Sequence, residues 1–316
     1  MTSTPESQLA STVLMVRPVA FRSNPLAAES NTFMNPQTVS ADEEQQRAAS
    51  EFDGLVEALG DAGARVIVID DTPEPHTPDA IFPNNWMSTH ASGQFVIYPM
   101  QVPNRRGERR LDIVDTLASD YGYRISDVID LSSHEAEEQY LEGTGSLVLD
   151  RTNHIAYACL SPRTDLEALG DFAQRLDYEV VAFEAVDQQG EAIYHTNVMM
   201  NVGNGFAVIC DESIHRADQR SAVLESLQQT GHDIVSINYE QMTSMAGNML
   251  QIESVDGDPL IAMSQRAHNA LTDEQVQTIE AHARIVSAPI DHIEDSAGGS
   301  VRCMLAEIHL PVQDAQ

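Results

Sequence analysis

Lysine is missing altogether. All 17 basic residues of the 316-residue chain are arginine, against 49 aspartates and glutamates, for a formal net charge of -32. A surface so short of positive charge repels nucleic acid and anionic membranes, so neither is an expected partner. The acids are spread along the chain rather than gathered in a tail, and the surface is expected to be uniformly acidic. That suits a protein working in high salt, where screening acts within a few ångströms. Cysteine is scarce too: Cys159, Cys210 and Cys303 show no paired spacing, which argues against a disulfide framework or a zinc ribbon and for a reducing compartment. No apolar run approaches the roughly 18 to 20 residues of a membrane span, and Met1 to Ser11 is polar without a basic stretch. A cytoplasmic location is expected. The histidines outside His195 show no metal-ligand spacing, and no metal or other cofactor is expected.

What the chain does contain is a pattern repeated five times: strand, turn, strand, amphipathic helix, strand. The first full hairpin runs from Ile81 to Met87 and, past Ser92-Gly93, from Phe95 to Tyr98, with a helix near Arg106 to Asp120 and a strand near Arg124 to Ile129. The second has strands over Gly145 to Leu149 and Ile155 to Leu160, a helix over Thr164 to Leu176 and a strand over Glu179 to Phe183. The third has Thr196 to Asn201, Phe206 to Cys210, a helix near Ser213 to Gln229, and Ile234 to Ile237. The fourth has Asn248 to Ile252, Leu260 to Met263, a helix near Thr272 to Ala283, and Ile285 to Ser287. The fifth is split across the termini, Val301 to Leu310 pairing with Val13 to Phe21, followed by a helix over Ala41 to Leu59 and a strand over Arg65 to Ile69. Hairpins recurring at roughly 55 residues signal supersecondary units that share one core. The expected fold is an α/β ring of five ββαβ modules with pseudo-fivefold symmetry, one domain over residues 1–316.

Such a ring turns the residues before each first strand toward one axis. Those residues are Asn85, Glu142 with Gly143-Thr144-Gly145, His195-Thr196-Asn197, Asn248 and Cys303. Cys159 and Cys210 sit inside apolar runs and read as small buried hydrophobes. Cys303 instead follows Arg302 and the flexible Gly298-Gly299 pair at the mouth of a strand, a setting that favours a reactive thiol. A histidine oriented by a carboxylate can take the thiol proton and later return it, which assigns Cys303 as nucleophile, His195 as base and acid, and Glu142 as its orienter. Taken singly, His195 would be an ordinary histidine at a strand start and Glu142 a solvated loop acid; their matching positions in the repeat raise both.

The segments GGSVRCM, EGTGS, HTN and FPNNW together resemble the amidinotransferase and arginine deiminase superfamily, the five-bladed penteins, over nearly the whole chain. The resemblance implies that Cys303 attacks a guanidino or ureido carbon, with His195 shuttling protons and Glu142 assisting. Ser161-Pro162-Arg163-Thr164 and Arg105-Arg106-Gly107-Glu108 resemble family segments that bind substrate, which nominates Arg163, Arg106 and Arg105 as clamps for a substrate carboxylate. Two departures bear on the substrate. Where deiminases hold the guanidinium with aspartates in F-T-R-D and H-x-D, this chain has Asn85 and Asn197, and the last acid of E-G-G-D has become Gly145. Amides offer both donor and acceptor and suit a neutral ureido group. With VRPVAF near the start, the pattern is most similar to the citrulline-hydrolysing branch, so the expected reaction is L-citrulline to ornithine, carbon dioxide and ammonia through an S-carbamoyl cysteine, with Gly298-Gly299 amides available for the oxyanion. Arginine or arginine-derivative deiminases and dihydrolases are the nearest alternative, and a non-catalytic binding protein of the same fold is another. The expected partner is a small amino acid, and whether the chain forms a homo-oligomer is left open.

Overall fold

A computed structural model describes residues 6–36 and 38–313. Its strands form five three-stranded sheets. They are β1 (Thr12–Arg17), β2 (Arg65–Asp70), β3 (Met87–Thr89), β4 (Gln94–Ile97), β5 (Asp127–Asp130), β6 (Val148–Asp150), β7 (Ile155–Cys159), β8 (Glu179–Phe183), β9 (Met200–Val202), β10 (Phe206–Ile209), β11 (Asp233–Ser236), β12 (Leu250–Glu253), β13 (Pro259–Ser264), β14 (Arg284–Ala288) and β15 (Ala306–Glu307). In each sheet the middle strand pairs antiparallel with the inner one and parallel with the outer one. Inner strands of successive modules touch, β15 with β3, β6 with β9 and β9 with β12, so the sheets stand around a common axis. The fifth module closes across the chain ends, with Val13 opposite Glu307 and Leu14 opposite Ala306.

The parallel step from middle to outer strand needs a crossover, and helices supply it. Ser40 starts Ala41–Asp61 by accepting from the Glu43 N–H, and Asp42, Glu43 and Glu44 complement the positive end of the helix. Asp165 caps Leu166–Leu176 in the same way, and Ala168, Leu169, Phe172 and Leu176 form its buried face. These faces fill apolar clusters between neighbouring sheets, for example Val96, Leu149 and Ala158 under Phe172. No helix among the described residues is long and apolar enough to cross a membrane.

The inner strands are shorter than their sequences suggest, and the difference shapes the site. Residues expected as strand over Gly145 to Leu149, Thr196 to Asn201 and Val301 to Leu310 begin instead with one helical turn, at Gly143–Ser146, Thr196–Met199 and Val301–Met304. Pro83–Asn85 makes the corresponding 3-10 turn before β3. Close to the axis no neighbouring strand is available, and the backbone satisfies itself locally, as when the N–H groups of Ser146 and Leu147 reach the carbonyls of Glu142 and Gly143. The helix expected near Arg106 to Asp120 is likewise split into a 3-10 segment, Pro103–Glu108, and a helix, Asp112–Ser119. The strand from Val13 stops at Arg17, before Pro18, which has no N–H to give the ladder.

Candidate active site

Cys303 lies in the helical turn Val301–Met304, not at a strand mouth, and is 2% exposed. Helix Asp291–Ala297 leads into it and ends at Gly298, whose φ of +63° lies in the left-handed region that favours glycine and whose N–H caps the Glu294 carbonyl at 2.8 Å. That N–H is therefore unavailable to an oxyanion. A Cβ on Gly298 would lie 2.6 Å from Asn31 Nδ2, and one on Gly299 2.9 Å from the Phe82 ring, so the pair lets both side chains close on this loop. Arg302, expected to bias the thiol, gives its guanidinium to the Leu305 carbonyl at 3.0 Å and Glu307 at 2.7 Å instead. The groups that touch Cys303 Sγ are two amides, Asn197 Nδ2 and Asn248 Nδ2, each at 3.4 Å.

His195 and Glu142 immediately precede the turns at Thr196–Met199 and Gly143–Ser146, and these turns bring His195 Nε2 to 2.8 Å from Glu142 Oε2. Both are buried. Burial pushes the His195 imidazole down to about 4 against the pull of Glu142, so the ring is neutral near pH 7. Burial alone would raise Glu142, but Arg163, the His195 hydrogen bond and Arg105 hold it below the usual carboxylate range. An anionic Glu142 accepts, so Nε2 carries the proton and Nδ1 is left as the basic nitrogen. Gly145 makes room for this: a Cβ there would stand 2.7 Å from His195 Nδ1 and Cε1 and 2.6 Å from Asn85 Nδ2.

The three arginines separate. Arg163 stacks over Tyr194, 5.0 Å from the ring centre, and reaches Ser30 Oγ and the Ala27 carbonyl, both at 2.9 Å, and Glu142 at 3.4 Å. Arg105 is buried in a two-pronged pair with Glu108, both contacts 2.9 Å, and donates Nη1 to Asn85 Oδ1 at 2.9 Å. Arg106 is not brought to the site; it is partly exposed and turned to Glu135 at 3.2 Å and the Met100 carbonyl. Ala27, Asn31, Asp79, Phe82, Asn85, Arg105, Arg163, Tyr194, His195, Ala297, Gly299 and Cys303 line one cavity.

Sequence reasoning missed Asp79, whose Oδ1 is buried without a partner while Oδ2 accepts from Asn24 at 2.7 Å. The signal was an acid inside Pro78-Asp79-Ala80-Ile81-Phe82, where a solvated loop would not need flanking apolar residues. Asn31, a residue that the sequence leaves open as pocket lining or support, does both: it lines the cavity and donates to the Ala297 carbonyl at 3.1 Å, and the nearby Asn35 N–H reaches the Asp295 carbonyl at 2.7 Å. The lining sets a thiol, a neutral histidine and the Asn31 and Asn85 amides beside Asp79, Arg105 and Arg163, the charges that a zwitterion would pair with, around a cavity of about 10 Å³, room for a water and not for an amino acid, so substrate enters only if the lining moves apart.

A ring of five such modules, bringing a cysteine, a histidine and a glutamate together from their entry turns, is the architecture of the pentein, or amidinotransferase, superfamily. Within it, the family model described as N,N dimethylarginine dimethylhydrolase, eukaryotic, matches residues 17–310, and the chain belongs to that family of hydrolases acting on guanidino-type C–N bonds. No curated protein matches in sequence. Among solved structures, the substrate-bound N-terminal domain of ArgZ, an arginine dihydrolase from the ornithine-ammonia cycle in cyanobacteria, is similar with a TM-score of 0.72 and 17% identity, over 96% of this chain and 99% of that one. AgrE bound to L-arginine gives 0.72 and 19%, over 96% of this chain and 41% of that one. A dimethylarginine dimethylaminohydrolase gives 0.64 and 13%, over 95% and 100%. The chain spans about two-fifths of full-length ArgZ and AgrE.

Proposed function

We propose that the protein hydrolyses the ureido C–N bond of L-citrulline, giving ornithine, carbon dioxide and ammonia. The observation that carries this reading is the direction of the Asn85 amide. Arginine has only donors, so the atom facing Arg105 Nη1 at 2.9 Å is the Asn85 oxygen. Asn85 Nδ2 gives one hydrogen to Asn84 Oδ1 at 2.9 Å and has its second N–H to offer. A ureido oxygen accepts that hydrogen, whereas a guanidinium has no acceptor.

On this reading Cys303 Sγ passes its proton to His195 and bonds the ureido carbon. The bond from carbon to ornithine Nδ then breaks as His195 returns the proton to that nitrogen. Water, deprotonated by His195, attacks the S-carbamoyl group; sulfur leaves, and the carbamate decomposes to carbon dioxide and ammonia. Arg163 would fix the substrate carboxylate after releasing Ser30 and the Ala27 carbonyl, and Asp79 the ammonium. Arg105, expected as a second clamp, is better suited to orienting Asn85.

A second reading, deiminase or dihydrolase action on arginine or a derivative, draws support from Asp79, an acid in the cavity lining whose Oδ1 is buried without a partner, which favours a cationic group. The solved relatives named as arginine dihydrolases point the same way. A panel of citrulline, arginine, agmatine and N-succinylarginine, scored for ornithine, citrulline, putrescine and ammonia, separates the two. Ornithine from citrulline with arginine untouched is expected; citrulline, ornithine or ammonia released from arginine would overturn the ureidase reading. Replacing Asn85 and Asn197 together by aspartate should shift the citrulline-to-arginine ratio at least roughly tenfold toward arginine, since neither carboxylate can donate to a ureido oxygen and a buried acceptor left unsatisfied costs about 1 to 3 kcal/mol.

A further inference from the structure

Asn248 has the right place in the repeat but no part in the reaction so far derived, and its surroundings are unusually determined. It is fully buried in the turn before β12. Its Oδ1 accepts from the Arg302 N–H at 3.0 Å, and its Nδ2 donates to the Asn197 carbonyl at 3.0 Å and to Cys303 Sγ at 3.4 Å. The amide cannot be flipped: that would set oxygen against the Asn197 carbonyl and nitrogen against the Arg302 N–H. One backbone acceptor and one backbone donor thus aim an N–H at the sulfur.

The turn is built for this contact. Met245 adopts a φ of +63°, a conformation side chains rarely take without compensation. Gly247 lies so close to the preceding module that a Cβ on it would be 2.5 Å from the Val198 carbonyl oxygen and 2.8 Å from the Met199 carbonyl carbon. Asn248 therefore ties the turn carrying Asn197 to the turn carrying Cys303 while touching the reacting atom. Asn197 makes a similar contact with Sγ, but no partner fixes its Oδ1.

We infer that Asn248 is a catalytic residue, its side-chain N–H stabilising negative charge on Cys303 Sγ whenever the sulfur carries it, before the C–S bond forms and after it breaks. This rests on Cys303 being the nucleophile. A hydrogen bond to a charged atom accounts for about 10- to 100-fold in rate.

The test compares wild type, Asn248→Asp and Asn248→Ala for iodoacetamide labelling of Cys303, followed by peptide mass spectrometry without substrate, and for kcat, KM and melting temperature. Asn248→Asp keeps the acceptor for Arg302 and reverses both contacts of the amide nitrogen, to sulfur and to the Asn197 carbonyl, and the melting temperature shows for each variant whether the turn has held. Expected is labelling slowed at least tenfold in Asn248→Asp, a matching loss in kcat and little change in KM. A purely structural role predicts the opposite direction, because a loosened turn exposes a buried thiol and speeds labelling. Labelling of Asn248→Asp at the wild-type rate or faster overturns the inference. Absence of Cys303 labelling in wild type overturns the nucleophile assignment beneath it.

Discussion

Gly145→Ala is the smallest change that strikes the proposed base without touching it in sequence. The added methyl would sit 2.7 Å from His195 Nδ1 and Cε1 and 2.6 Å from Asn85 Nδ2, roughly 0.8 Å or more inside the ~3.5–4.0 Å optimum for such contacts. The Gly145 side of the gap has little freedom, since its N–H is bonded to the Glu142 carbonyl at 3.0 Å and its turn packs against the Pro83–Asn85 turn. The ring and the Asn85 amide must give way, loosening the 2.8 Å contact to Glu142 that orients Nδ1. Misplacement by ~1 Å costs about 100-fold, so kcat should fall by roughly 10- to 100-fold. Overpacking should cost about 1 to 3 kcal/mol of stability. Steady-state ornithine release from citrulline, with a thermal melt of the same preparation, measures both. A kcat within about twofold of wild type would mean that the ring can move freely without loss, and the role given to the Glu142–His195 contact would have to be abandoned.

Cys303→Ser should abolish turnover, while Cys159→Ser and Cys210→Ser keep it, since burial pushes both of those thiols up to about 12; equal loss in all three would remove the nucleophile assignment. For stability against pH, His195 falls from 6.5 unfolded to about 4 folded, so the unfolded chain binds more protons between those values and stability declines as pH drops through that window, by about 3 kcal/mol in all. Burial lowers His90 and His309 in the same sense, but raises the carboxyls of Glu108, to about 8, and Glu294, to about 7, which act in the opposite sense over the same window, whereas the depressed carboxylates of Glu6, Glu142 and Glu307 act only as pH falls through and below the unfolded carboxylate value. The His195 share is read by difference: urea midpoints of wild type and His195→Asn whose gap stays constant from pH 7 to 4 at fixed salt would contradict this. With 49 acids against 17 arginines, melting temperature should rise as salt shortens the screening length from about 10 Å at 0.1 M to about 3 Å at 1 M; a melt indifferent to salt would show that the acidic surface is not under strain.

The repeat was legible because alternating apolar residues and Gly-containing turns mark hairpins wherever they occur, and Glu179–Phe183 emerged with the bounds its sequence suggested. The entry turns were not. Thr196 to Asn201 alternates like a strand, and only the absence of a neighbour near the axis makes Thr196–Met199 turn as a helix. Cys303, His195 and Glu142 could be nominated from their positions in the repeat, whereas the part played by Arg105 could not. In sequence it is one arginine of a segment that resembles a substrate-binding one; in space Glu108 immobilises it and Asn85 uses it. Asn248 was visible as a ring position, but its value lies in contacts to residues about fifty positions away on either side.

The pairing of β1 with both β2 and β15 has a consequence for synthesis. On the ribosome, Thr12–Arg17 can find its parallel partner once Asp70 has been made, but its other edge waits until Ala306-Glu307, more than 230 residues later, has been made. Cys303 is made just before that segment, and after Glu142, His195 and Asn248 of the earlier modules. On the proposed reading, a nascent chain would carry the whole receptor for its substrate but no means of cutting it, and the thiol would be armed only by the act that closes the ring.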